Sequence, residues 1–348
     1  MTPDTAPGPA SSHPVNDLST PALLIDADAL DRNLTTMAAS LPGQRLRPHV
    51  KAHKCTALAS AQAAKGHLAF TCATPREVIG MAEAGLGHDL LLANEVVDAV
   101  RLRAIADRQD VARITIAVDS NETIDAAASA GIRSVLIDVN VGLPRCGCAP
   151  TAAGHLAERA RRRGVEVRGV MGYEGHLMVM PDRDDQRAQV RTAMDLLVAA
   201  HADVGGDIVS AGGTGTFDLH DRVTEIQAGS YALMDTYYAT LQLPFEQACV
   251  VLGTVISANA SHAVADVGLK ALGMDHGNPS ITGAAVWFCS DEHITFATST
   301  ADRPTPRVGE RVRVVPAHID PTMAMHEHAW LVRGDEVIDR WPIDLRGW

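Results

Sequence analysis

"HLAFTCATPREVIGMAEAGLGHDLLLAN" (residues 67–94) reads as one complete strand–helix–strand unit. "HLAFTCAT" and "HDLLLAN" are short apolar runs bounded by turn residues, as buried strands are. "PREVIGMAEAG" between them opens on a proline and closes on a glycine, the usual punctuation of a helix. Strands joined through a helix pair in parallel and need cover on both faces.

The same pattern extends in both directions. Further strands are predicted at "RLRPHVK" (45–51), "RITIAVDS" (113–120), "SVLIDVN" (134–140), "VEVRGVMGYE" (165–174), "DIVSAGG" (207–213) and "TEIQAGSYALMD" (224–235). Helices such as "NEVVDAVRLRAIADR", "NETIDAAASAG" and "DDQRAQVRTAMDLLVAAHADV" separate most of them. Eight strands alternating with helices predict an α/β fold, a (β/α)8 TIM-type barrel over residues 28–248. The helix between the last two strands should be short or missing, because only "FDLHDRV" lies there.

From residue 249 the texture changes. "CVVLGTVISANASHAVADVG", "AAVWFCSDEHITFAT" and "HAWLVRGDEVIDRWPI" alternate without a helical period, which predicts a C-terminal antiparallel β domain over 249–348. Near the start, "TPALLIDADAL" reads as a strand entering a helix, with 17–27 expected to join the β domain. Residues 1–16, rich in Pro, Ser, Thr and Ala, are expected to form a disordered leader.

Hydrophobic residues make up 46% and aromatics 4%, so the core should be aliphatic, as in a covered parallel sheet. The formal charge of −12 disfavours nucleic acid and anionic membrane as partners. No basic leader with an apolar run and no stretch of 18 apolar residues occurs, so a cytoplasmic location is expected. The six scattered cysteines are expected to be free thiols, since "CGC" (146–148) lacks the spacer of a zinc or redox pair.

In such a barrel, chemistry gathers at the carboxyl ends of the strands. Lys51 ends the first strand, Asn94 the third and Asn140 the fifth, with Arg145 just beyond; Tyr173 and His176 end the sixth. Taken alone, Lys51 and Lys54 fit a solvated basic turn as well as a chemical role. The loops after the last two strands, "AGGTGT" (211–216) and "AGSY" (228–231), are both glycine-rich with a hydroxyl residue, Thr214 and Ser230. Either alone is a tight turn, but together they occupy the usual phosphate site of these barrels. A phosphate site and a strand-end lysine are what pyridoxal 5′-phosphate requires, which makes Lys51 the candidate for its aldehyde. In "VPAHIDPTMAMHEHAW" (315–330), His318 and Asp320 would face one side of an extended segment. They suit either a divalent cation or a solvated polar pair; His326 and His328 read as structural.

Four motifs, "RPHVKAHK", "GGTGT", "TEIQAGSYALMD" and "PAHIDPT", resemble in order and spacing the D-threonine aldolase and D-serine dehydratase family. The resemblance covers roughly residues 18–346 and implies the alanine-racemase type of fold with pyridoxal phosphate. It implies that Lys51 carries the cofactor and Arg145 faces its phenolic oxygen. Gly213, Thr214, Gly229, Ser230 and Tyr231 match phosphate binders, Tyr173 and His176 match residues near ring and substrate, and His318 and Asp320 match ligands of a divalent metal. His-x-Asp, where the dehydratases carry His-x-Cys, favours an aldolase using manganese, with magnesium, cobalt or zinc as alternatives. The expected substrates are D-β-hydroxy-α-amino acids and the expected assembly is a homodimer. A dehydratase giving a 2-oxo acid and ammonia is the rival; a racemase and a noncatalytic cofactor carrier fit the metal motif less well.

Overall fold

The computed structural model describes residues 13–299 and 304–348. The chain forms two compact units. One comprises Leu34–Tyr231, Thr240–Leu243 and Leu345–Trp348; the other comprises the described residues up to Asn33, Ala232–Ala239 and Pro244–Asp344. The expected leader lies outside the described residues as far as residue 12, while His13–Pro14 already pair with Glu336 and Val337.

The first unit is the barrel. Seven parallel strands follow in chain order: Ala69–Cys72, Asp89–Leu92, Ile114–Val118, Ser134–Asp138, Glu166–Gly172, Ile208–Ala211 and Glu225–Ile226. Ile114–Val118 and Ser134–Asp138 are buried at every position, because helices cover one face and the barrel interior the other.

The predicted strand 45–51 is corrected. Only residues 46–49 are extended, between the turns Gly43–Arg45 and Val50–Ala52. This segment nevertheless fills the eighth place: Leu46 bridges to Ile226 and His49 to Thr71, both in parallel. Arg47 N–H donates to Ile226 O at 2.9 Å and Thr71 N–H to Pro48 O at 2.9 Å. Pro48 has no N–H to return, so the ladder breaks there. The predicted last strand is likewise short, with Ser230–Ala232 forming a 3-10 turn, and no helix precedes it.

Local capping explains the helices. The Thr74 hydroxyl accepts from Glu77 N–H at 3.2 Å and Pro75 opens the helix Pro75–Glu83. Ser120 and Thr123 form a capping box, and Gly131 ends that helix at φ +85°. The helix expected from Asn94 instead starts at Ala99, because the Asp98 carboxylate accepts from the N–H groups of Val100 and Arg101.

In the second unit, Cys249–Ala258 pairs antiparallel with Ala22–Asp26 and then Ala263–Ala265 along one edge and with Arg311–Val315 along the other. Strands between Cys249 and Val315 close into an antiparallel ring, and His328–Arg333 and Glu336–Pro342 extend the sheet beyond Ala22–Asp26. Among the described residues no helix is long and apolar enough to cross a membrane.

Candidate active site

Lys51 lies in the turn Val50–Ala52 at the carboxyl end of the closing segment, half-buried. Its N–H faces His49 Nδ1 at 3.4 Å. Burial, then the charges of Lys51 and Lys54, push the His49 imidazole well below its usual range, so it sits there uncharged. Lys54, at φ +49°, is committed elsewhere: its ammonium pairs with the buried Glu77 carboxylate, which also accepts from Ala73 N–H at 2.5 Å.

The loops after the last two strands meet. Tyr231 N–H donates to the Thr214 hydroxyl at 3.0 Å, and both residues are buried, as is Ser230. Gly229 packs so closely on the closing segment that a Cβ there would lie 2.5 Å from His49 O. Only glycine therefore fits between Lys51 and these loops. A Cβ on Gly213 would press on Met178 and lie 3.6 Å from the Tyr173 ring. The Tyr173 ring carries the Arg145 guanidinium 5.3 Å from its centroid. His176, in the turn Gly175–Leu177, packs on Gly142. The structure thus gathers Lys51, Arg145, Tyr173, His176, Gly213, Thr214, Gly229 and Ser230 at one end of the barrel. Tyr231 differs: its side chain is buried away with its hydroxyl accepting from Gln62 at 3.1 Å, so only its backbone belongs to the loop junction.

Two adjacent glycine-rich loops with buried hydroxyls, a lysine beside an uncharged imidazole and an arginine on an aromatic face form a donor set that fits pyridoxal phosphate.

In the second unit, His318 is the last extended residue before the helix Ile319–Met325, so Asp320 sits in a first helical turn. This corrects the expectation of one extended segment bearing both. The buried Asp235 carboxyl accepts from Ile319 N–H at 3.0 Å and Tyr238 N–H at 2.9 Å, and burial chiefly pushes it up to about 6. His318 Nδ1 lies 2.7 Å from Asp275 Oδ2, and the His276 ring stacks on His318 at 3.9 Å and 15°. Ligand atoms of Asp275, His276 and His318 lie within 4.8 Å of one another, a donor set that fits a divalent ion. Asp320 is not part of that cluster. Asp275 and His276, in "MDHG", escaped the sequence reading; an adjacent Asp-His pair was their signal, with nothing to link it to a histidine 43 positions on. His326 is tied to Ala271 O at 3.0 Å and His328 packs edge-on against Trp330, as structural residues do. None of the six cysteines forms a disulfide.

Comparison with known proteins identifies the family of the chain. Residues 25–236 match the family described as "Alanine racemase, N-terminal domain", and 248–332 match "Putative serine dehydratase domain". D-threonine aldolase from Arthrobacter sp. is 33% identical over 98% of this chain and 96% of its own. 3-Hydroxy-D-aspartate aldolase from Paracoccus denitrificans is 30% identical, covering 95% and 93%. The crystal structure of D-threonine aldolase from Filomicrobium marinum superposes with a TM-score of 0.92 at 35% identity, covering 98% and 99%. The chain therefore belongs to the family that pairs an alanine racemase N-terminal domain with a serine dehydratase domain, that of the D-threonine aldolases.

Proposed function

We propose that this protein is a pyridoxal 5′-phosphate- and divalent-metal-dependent carbon–carbon lyase. It cleaves D-threonine and related D-β-hydroxy-α-amino acids to glycine and an aldehyde, as a cytoplasmic homodimer. The observation that carries the reading is the convergence of Lys51, the two glycine loops and Arg145 at one barrel end, in a chain whose near-full-length relatives at 30% identity or more are named aldolases.

When bound, the cofactor supplies an electron sink at the substrate's α-carbon and the ion a Lewis acid at its β-hydroxyl. Lys51 would carry the cofactor's aldehyde, while Gly213, Thr214, Gly229 and Ser230 hold its phosphate, Tyr231 contributing through the N–H that it donates to the Thr214 hydroxyl. Arg145, steadied on Tyr173, would face the ring oxygen. His318 would hold the ion with Asp320, the pair that the His-x-Asp motif supplies, and His276, stacked on His318, offers a further donor beside it; manganese is preferred to magnesium, cobalt or zinc. His176 takes the proton from the substrate's β-hydroxyl oxygen. Replacing His176 with Asn is expected to lower kcat by about 10²- to 10⁴-fold while pyridoxal phosphate affinity, read from absorbance titration, stays unchanged.

Asp275 accepts from His318 Nδ1 and so leaves Nε2 for the ion. An Asp275→Asn variant should bind manganese about 10- to 100-fold more weakly by calorimetry.

The rival is a dehydratase on D-serine, D-threonine or 3-hydroxyaspartate, favoured by the second matched family. Product analysis with D-threonine, pyridoxal phosphate and manganese decides. Glycine and acetaldehyde are expected; ammonia with 2-oxobutanoate as the main products would replace the aldolase reading.

A further inference from the structure

Glu174 follows Tyr173 directly in "GYEGH", and its side chain is wholly buried beside the loop Gly212–Thr216. One carboxylate oxygen accepts from Gly212 N–H at 3.2 Å. The other accepts from the Thr216 hydroxyl at 2.8 Å and lies 2.8 Å from His220 Nε2. Thr216 Oγ1 in turn accepts from Gly213 N–H at 3.3 Å, so both ends of the loop are tied to one side chain. The opposite side is held as well: Gly215 O accepts from Arg183 at 2.7 Å, and a Cβ on Gly215 would collide with Met178 O.

A buried negative charge beside an anion-binding loop is adverse by itself. Here burial raises the Glu174 carboxyl, but the bonds from His220, its own backbone and Thr216 outweigh that and hold it below the usual range. The carboxylate is thus stabilised as a charged anchor, and what it anchors is the loop's shape.

We propose that Glu174, with Thr216 and His220, is the positioning group of the glycine loop and sets affinity for the phosphate end of the cofactor rather than for its aldehyde end. This rests on the reading of 212–216 as a phosphate loop.

The test titrates cofactor-stripped, full-length protein with pyridoxal 5′-phosphate and, separately, with unphosphorylated pyridoxal, following the absorbance band. Glu174→Ala and Thr216→Val should weaken the phosphorylated compound about 10- to 100-fold, as loss of a charged hydrogen bond does, and leave pyridoxal within about twofold. Thr216→Ser should restore wild-type affinity for both. Equal weakening of both compounds, or of neither, overturns the inference. Should Glu174→Ala not fold, the Thr216 pair carries the same comparison. If wild-type protein binds the two compounds equally, 212–216 is not a phosphate loop, and that reading falls together with the inference.

Discussion

Replacing Lys51 with alanine is expected to remove the cofactor's covalent attachment and to cut turnover by about three orders of magnitude or more. The prediction separates two lysines three positions apart. Lys54 is neutralised by Glu77, a carboxylate at 0% exposure that also caps backbone at Ala73, so it is not available to an aldehyde. Lys51 stands at the strand end with an uncharged imidazole beside it. Wild-type protein with pyridoxal phosphate should show a visible absorbance band that borohydride bleaches, and peptide mapping should place the label on Lys51. Lys54→Ala should keep the band and lose stability instead, since it leaves the buried Glu77 unpaired. A labelled Lys54, or an unchanged band in Lys51→Ala, would remove the proposed chemistry along with its lysine.

The barrel was legible because its strands are written as separate apolar runs, and burial on both faces demands such runs. Legibility failed where one residue changes the hydrogen-bonding rules. Pro48 removes a donor and turns a predicted strand into a bridged extended segment; Asp98 caps backbone N–H groups and moves a helix start from Asn94 to Ala99. The barrel-end residues were legible for a related reason, since strand ends can be counted once strands are found. Tyr231 shows the limit of that counting: position put it at the site, while the hydrogen bond to Gln62 took its ring elsewhere. What the sequence hides is partnership at a distance. Asp275 meets His318 across 43 positions and His220 meets Glu174 across 46, and no local pattern couples either pair. His318 and Asp320 were read together because they are neighbours in the chain, yet a helix start at Ile319 separates their geometry.

Asp89→Ala should destabilise the barrel by about 3–5 kcal/mol with little effect on kcat of the folded fraction. Asp89 opens the strand Asp89–Leu92, at the end of the barrel opposite Lys51. Its carboxylate takes a two-point bond from Arg168 at 2.9 and 2.6 Å and a weaker one from Arg47 at 3.3 Å. Arg47 also pairs with Glu225 at 2.8 Å, and Arg168 with the Thr115 hydroxyl at 2.6 Å. Two guanidinium groups and two carboxylates therefore neutralise one another across four staves of the barrel, with side-chain exposures of 3% to 14%. Removing Asp89 leaves an excess buried positive charge, and Arg47, held above its already high range, will not give up a proton to relieve it. Burial raises the Asp89 carboxyl, but the bonds and charges of Arg168 and Arg47 more than offset this and depress it. A depressed folded value means that its contribution is present above about pH 4 and is lost as acid titrates it, so the gap between wild type and Asp89→Ala should close below that pH. Urea midpoints at pH 7 and pH 3 measure both effects. Converting Arg47, Asp89, Arg168 and Glu225 together to apolar residues of similar volume should recover most of the stability, because desolvating four charges costs nearly what their pairing returns. A single Asp89→Ala as stable as wild type at pH 7 would show that water, not the barrel, solvates these charges.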